Sequence, residues 1–279
     1  MCPGFKRGIG NVFNRTHSRN PLKVFRGEDR IKDNILTFIE ETLLDILSPE
    51  YCAVCGKFLI GKHRKITCEE CWNIHIRPFS GKKCAVCGYP LKLSPGSEPL
   101  CRDCFEKSRK FAFSGVSYFG LYKGLLEIAI KTFKIAKRRE IGKEIGQTIS
   151  NHLKKFLSEN KIDLIIPVPL HPEELKARGF NQCHLILSAA NVPFIDGVEK
   201  RFHGRKQALL SKQERKENVK GLFAVKENVI PQIKGKRICL FDDIFTTGST
   251  VNEIAQELIK AGADAIYVYT VARSIKKSK

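Results

Sequence analysis

Two sets of residues in this chain have types and spacings suited to chemistry. The first is the run Phe241-Asp242-Asp243-Ile244-Phe245-Thr246-Thr247-Gly248-Ser249-Thr250. It sets two adjacent carboxylates and a hydroxyl-rich loop between an apolar strand, Arg237 to Phe241, and an amphipathic helix. That helix begins near Ser249 or Thr250, reaches Lys260 and is closed by Gly262. Asp242 and Asp243 fall at the carboxyl end of the strand, where open α/β sheets bind ligands. Backbone N–H groups of Thr246 to Thr250 would converge at the helix N-terminus, and Gly248 has no Cβ to block a close approach by phosphate. The carboxylates cannot face that phosphate without repulsion, so they are assigned to sugar hydroxyls or to a magnesium ion beside it. A sugar phosphate satisfies both ends. A P-loop is excluded because no lysine precedes the Ser/Thr in a GxxxxGK[ST] pattern. The plainer alternative is an ordinary strand–turn–helix with an acidic N-cap.

The second set is eight of the eleven cysteines, which form four CxxC pairs: Cys52/Cys55, Cys68/Cys71, Cys84/Cys87 and Cys101/Cys104. Twelve residues separate the first two pairs and 13 the last two, a tandem repeat of one pattern. A two-residue gap lets a tight knuckle aim both sulfurs at one tetrahedral ion, and two knuckles complete its shell. Two zinc ions are therefore expected, with adjacent knuckles paired as two ribbons in preference to interleaved cross-bracing. Four thiolates leave no open position for water, so the zinc reads as structural. A disulfide framework is the alternative, and it suits a secreted chain better than this one. Cys2, Cys183 and Cys239 have no partner at suitable spacing and read as a terminal residue and two core residues.

Elements must position these groups, and the composition allows them. The 279 residues are 42% hydrophobic, enough for one α/β domain with small additions. No run approaches a membrane span and the basic N-terminus lacks an apolar signal region, so a cytoplasmic location is expected. The formal net charge is +20. Two zinc tetrathiolate sites lower it by four, to about +16. Basic residues cluster at Lys131 to Lys143, Lys200 to Lys220 and Arg273 to Lys279, while residues 1–27 carry six Lys/Arg and no acid. Such surfaces suit nucleic acid, anionic lipid head groups or polyphosphates, and a uniformly basic proteome would also produce them.

Along the chain, residues 1–30 have no period and are expected to be a mobile basic extension. Ile31 to Leu47 has a helical period, and with the ribbons it makes up a unit at 31–110. From 111 to 279 strands alternate with helices: strands at Gly115 to Tyr122, Ile162 to Leu170, Gly221 to Lys226, Arg237 to Phe241 and Ala265 to Ala272, helices at Leu125 to Lys131 and Ile141 to Leu157. This order predicts a mostly parallel sheet with helices on both faces.

The run from Phe241 to Thr250 resembles the loop of type I phosphoribosyltransferases that binds phosphoribosyl pyrophosphate (PRPP). The resemblance implies that Asp242 and Asp243 hold the ribose hydroxyls and that Thr246, Thr247, Gly248, Ser249 and Thr250 wrap the 5′-phosphate, with magnesium accompanying PRPP. Enzymes of that family that act on 6-oxopurines carry an aspartate where this chain has Thr246, so oxopurine salvage is not expected. Arg178 lies in the stretch after the strand ending in Pro167-Val168-Pro169-Leu170, where such an enzyme binds pyrophosphate; a guanidinium suits those oxygens. The polar, basic stretch Arg201 to Asn218, with Gln207, Arg215 and Asn218, reads as a candidate hood over the ligand or as a solvated helix face.

PVPL, RGFNQ (Arg178 to Gln182), Gln207, ERKENVKGLF and DDIFTTGST, in that order behind CxxC ribbons, resemble the ComF family of bacterial competence proteins over roughly residues 35–275. The resemblance implies a type I phosphoribosyltransferase-like α/β domain preceded by a small tandem zinc-ribbon module. It also implies a cytoplasmic role with incoming single-stranded DNA in natural transformation, with the DNA-uptake machinery as a partner. Three readings stand: a protein that binds single-stranded DNA and phosphoribosyl groups, a Mg·PRPP-dependent transferase of unidentified acceptor and unknown catalytic residues, or a ribbon adaptor whose transferase domain is a relic. For the first, Lys137, Arg138 and Arg139 are the candidate contacts to the DNA backbone. Aromatic residues are not interleaved with the basic runs, which favours backbone contact over base readout.

Overall fold

Apolar runs flanked by amphipathic helices bury themselves most completely as a parallel sheet covered on both faces, and four of the runs do so here. The computed structural model of the chain describes residues 51–59, 66–91, 99–106, 108, 110–201 and 221–275. Its elements are α1 (Glu69–His75), α2 (Arg102–Glu106), β1 (Gly115–Leu121), α3 (Gly124–Ile135), α4 (Arg139–Glu159), β2 (Leu164–Pro167), α5 (Pro172–Arg178), α6 (Gln182–Ala189), β3 (Val198–Lys200), β4 (Phe223–Val225), α7 (Ile230–Ile233), β5 (Arg237–Phe245), α8 (Ser249–Lys260) and β6 (Ala265–Arg273). The helix expected over Ile31 to Leu47, the extension at 1–30, Cys2 and the hood residues Gln207, Arg215 and Asn218 lie outside the described residues.

The sheet has the order β1-β6-β5-β2, with every neighbouring pair parallel. Its two central strands are buried on both faces, as the unbroken run Ile238-Cys239-Leu240-Phe241 requires. One face is covered by α3, α4 and α6, the other by α8 with β3, β4 and α7. In α4 the stripe Ile141, Ile145, Ile149 and Leu153 repeats every fourth residue and is fully buried. Each such side chain contributes roughly 1.5–3 kcal/mol. A Cβ at Gly146 would come within 2.4 Å of the Ile186 carbonyl oxygen, so this glycine is what lets α4 and α6 touch backbone to backbone.

Three departures from expectation have local causes. β5 runs past Phe241 to Phe245 because β6 stays paired beside it, Asp242 with Thr270 and Ile244 with Ala272. β2 is short and lies at the sheet edge: Pro167 and Pro169 lack the N–H that would extend the ladder, although Val168 N–H still donates to Phe241 O at 2.9 Å. β4, expected in the parallel sheet, instead pairs antiparallel with β3 in a separate two-stranded sheet. β3, the nearest extended segment, has no sequence signal of its own. No described helix is long and apolar enough to cross a membrane.

Candidate functional site

The extension of β5 carries the acidic pair to the carboxyl edge of the sheet. Asp243 is 4% exposed and takes the ammonium of Lys134 from the last turn of α3, with Nζ 2.5 Å from Oδ2. Asp242 is half-buried, and its Oδ1 accepts the N–H of Asp243 at 2.8 Å. Burial first, and then the charge of Asp243, push the Asp242 carboxyl up to about 8 against the pull of Lys134. The Lys134 ammonium offsets carboxylate charge at this edge. Cys183, in the first turn of α6, packs beneath; burial and then the two aspartates push its thiol well above the ordinary range, so it is a packing residue rather than a nucleophile.

After Phe245 the chain turns through Thr246 and Thr247 to Gly248, which has φ +80° and directly precedes α8. A Cβ there would lie 2.5 Å from the Phe245 ring and 3.2 Å from Phe111, so both conformation and space demand glycine. Thr246, Thr247, Ser249 and Thr250 are exposed, and the Thr247 and Ser249 hydroxyls share a hydrogen bond of 2.9 Å. No side chain of Gly248 can cap the start of α8, and its first turn holds no acid. The Thr247 hydroxyl accepts the N–H of Ser249 at 3.4 Å, and the remaining first-turn N–H groups of α8 receive no cap from Gly248, which suits an anion.

The other expected residues sit around this pair to differing degrees. Arg178 ends α5 and donates through Nη1 to the buried Gln182, one residue before Cys183. Lys137 and Arg138 form the turn between α3 and α4, with Lys137 in the left-handed region at φ +55°. Arg139 opens α4, donates to Gly179 O at 3.4 Å and lies over the Phe180 ring at 5.0 Å. The basic turn therefore adjoins both the RGFNQ segment and, through Lys134, the acidic pair. Lys134 was not singled out from the sequence, where it is one of several lysines in a basic run.

Eight cysteines form two quartets of adjacent knuckles, Cys52/Cys55/Cys68/Cys71 and Cys84/Cys87/Cys101/Cys104, with sulfurs all within 4.8 Å of one another in each. Sulfur separations of 3.8 Å for Cys55–Cys68 and 3.6 Å for Cys87–Cys101 match the edge of about 3.8 Å of a tetrahedron with Zn–S bonds of about 2.3 Å. In each quartet one thiol ionises readily. Burial pushes Cys52 and Cys84 up, but knuckle backbone N–H groups outweigh it and bring them down to about 6 and about 7. The geometry fits two structural zinc ions.

Arg273, at the end of β6, was grouped from the sequence with the basic tail. It is 5% exposed. Its Nη1 donates to Phe245 O at 3.1 Å, Thr246 O at 2.8 Å and Ser274 O at 2.6 Å, and its Nε donates to Cys87 O at 3.1 Å. Beside it, a cavity of about 540 Å³ is walled by Tyr89 and Arg102 of the second ribbon and by Thr246, Thr247 and Ser274. The available sequence signal was a charged residue closing an otherwise apolar strand at the edge where the acids emerge.

Fold and site together define an α/β protein with a parallel sheet, an anion-type strand–loop–helix at its carboxyl edge and a tandem ribbon module, four cysteines to each ribbon, in front. Residues 43–105 match the family model described as a double zinc ribbon domain. Competence protein F of Haemophilus influenzae is 30% identical over 228 residues, covering 74% of this chain and 96% of that protein. Competence protein ComFC of Bacillus subtilis is 27% identical over 78% of this chain and 88% of its own length. DNA utilization protein YhgH of Escherichia coli K12 is 28% identical over 69% and 84%. The chain belongs to the ComF family of competence proteins. A hypoxanthine phosphoribosyltransferase from Staphylococcus aureus overlaps 49% of this chain and 77% of its own, at 14% identity and a TM-score of 0.31.

Proposed function

We propose that this chain binds a phosphoribosyl group at the β5–α8 loop and handles single-stranded DNA, as a competence protein would during natural transformation. The observation that carries the reading is the meeting, at one sheet edge, of an acidic pair beside Lys134 and a helix start whose N-cap, Gly248, has no side chain. Asp242 and Asp243 accept ribose hydroxyls, and the N–H groups of Thr246 to Thr250 hold the 5′-phosphate. With Lys134 beside Asp243 to offset carboxylate charge, ribose 5-phosphate approaches without a metal. Magnesium accompanies PRPP to balance its pyrophosphate, which Arg178 faces from the end of α5. Calorimetry with ribose 5-phosphate, and with PRPP with and without Mg²⁺, tests this. Asp242→Asn with Asp243→Asn should abolish binding without unfolding the chain, and unchanged affinity would remove the ribose role.

The DNA half of the reading rests on the basic turn beside the site and on the relatives named for competence and DNA utilization. Lys137, Arg138 and Arg139 neutralise backbone phosphates, each adding roughly 0.7 to the log–log salt slope for single strands. Arg139 is engaged with Gly179 and Phe180, so replacing it would disturb the RGFNQ segment as well. Lys137→Ala leaves those contacts in place, and it is the variant whose DNA affinity and phosphoribosyl affinity are compared in a fluorescence titration. A salt-independent complex, or none, would sink this half.

The cavity beside Thr246 favours a second reading, a Mg·PRPP-dependent transferase, because transfer needs room for an acceptor next to the ribose. Release of pyrophosphate from Mg·PRPP in the presence of candidate acceptors would support it. No release above the background of the double Asp→Asn variant would leave binding alone.

A further inference from the structure

Arg273 touches the second cysteine quartet and the phosphate-type loop at once. We propose that it is a positioning residue through which zinc at the second centre, and not at the first, sets the loop's capacity to hold a phosphoribosyl group. Its guanidinium forks. One edge reaches the Cys87 knuckle, Nε to the carbonyl oxygen at 3.1 Å and Nη2 3.8 Å from Sγ. The other edge holds the carbonyls of Phe245 and Thr246, the two residues that open the loop. The side chain is buried, and among the described residues no carboxylate pairs with it. A buried charge without a counter-charge is costly, and the neighbouring counter-charge here is the thiolate quartet, which with zinc bound carries a net charge of about −2.

Loss of zinc would free the knuckle that presents the Cys87 carbonyl and Sγ, releasing the fork from one side. A second contact follows the same route. Phe111 packs against the second quartet's cluster, stacks on Phe113 at 4.6 Å, meets Phe245 edge-on at 6.5 Å and closes the space over Gly248. Among the described residues the first quartet has neither link: Cys55 is exposed, Cys68 faces Glu70 at 3.6 Å, and that ribbon is tied instead to α4, where Trp72 Nε1 donates to Thr148 Oγ1 at 2.8 Å.

The inference rests on the phosphoribosyl reading for its ligand, so its test has one arm that needs no ligand. Hydrogen–deuterium exchange of the peptide 241–252 is compared in the zinc-loaded full chain, Cys55→Ser, Cys104→Ser and Arg273→Met. Exchange should rise at least tenfold in Cys104→Ser and Arg273→Met and stay unchanged in Cys55→Ser. In the second arm a metallochromic chelator competes for zinc at equilibrium with and without ribose 5-phosphate. Because coupling between sites is reciprocal, the sugar phosphate should raise the zinc affinity of one centre by about tenfold and leave the other alone. Arg273→Met should still bind two zinc ions but lose that coupling. Arg273→Lys should lose it too, since an ammonium cannot bridge both edges. If Cys104→Ser does not fold, the chelator competition on the unaltered chain decides. Bound ribose 5-phosphate with no zinc coupling and unchanged exchange would overturn the clamp while sparing the site. Raised exchange in Arg273→Met without any ribose 5-phosphate binding would uphold the clamp and overturn the phosphoribosyl reading.

Discussion

The two cysteine quartets repeat one spacing, yet the first leaves Cys55 exposed and hangs its ribbon on α4 through Trp72, whereas the second is buried throughout and reaches the β5–α8 loop through Arg273 and Phe111. Identical ligand chemistry thus serves two purposes. A tetrathiolate knuckle organises its own few residues whatever surrounds it. What it does for the rest of the molecule depends on which neighbour accepts its outer surface. For the first ribbon that neighbour is α4, whose buried stripe shares a core cluster with Trp72. For the second it is the loop itself, so its removal should be felt at the proposed phosphoribosyl site.

The largest expected effect breaks the first attachment. Trp72 is 3% exposed in the main core cluster and hydrogen-bonded to Thr148, so Trp72→Ala should cost about 3–5 kcal/mol in urea unfolding. Ribose 5-phosphate affinity should nevertheless stay within about twofold, because among the described residues no hydrogen bond joins that ribbon to the loop; a large loss of affinity would show that the first ribbon also supports the loop. Next comes Gly248→Ala at the end the second ribbon supports. The left-handed backbone costs about 1–2 kcal/mol for a residue with a Cβ, and contact with the Phe245 ring adds to it. Stability should fall by about 2 kcal/mol, with ribose 5-phosphate affinity falling more than tenfold by calorimetry.

A smaller effect sharpens the comparison through pH. Asp242 titrates at about 8 in the folded chain, against about 4 when unfolded. The native state therefore holds the extra proton between those values, and the stability this contributes is present below pH 4 and lost as pH rises through about 8. Thermal unfolding across pH 5–9 should show that decline in the parent and in Cys55→Ser, and should show it reduced in Asp242→Asn. An unchanged slope in Asp242→Asn would place the titrating group elsewhere. The smallest effect belongs to the surface of the first ribbon. Lys57 and Glu70 form an exposed pair at 3.4 Å, and Lys57→Ala should change stability by less than about 0.5 kcal/mol and leave zinc stoichiometry at two by elemental analysis.

Residue types and spacing alone specify the two cysteine quartets and the strand–loop–helix. A CxxC knuckle and the run Asp242 to Thr250 are built from residues a few positions apart, and their geometry follows from turns, glycine and the helix start that those residues create. The alternation of apolar runs and amphipathic helices likewise sufficed for a parallel sheet. It did not suffice for β4, whose pairing with β3 is decided by which extended segment lies nearest once the helices have packed. Nor could it reveal that Lys134, one lysine in a basic run, would neutralise Asp243, or that Arg273, grouped with a basic tail, would turn inward to Cys87, 186 residues away. Charge runs are legible as composition, but which member of a run is buried is not. That depends on where the sheet ends and on which opposite charge or carbonyl the tertiary fold brings within reach, and only the packed molecule places those together.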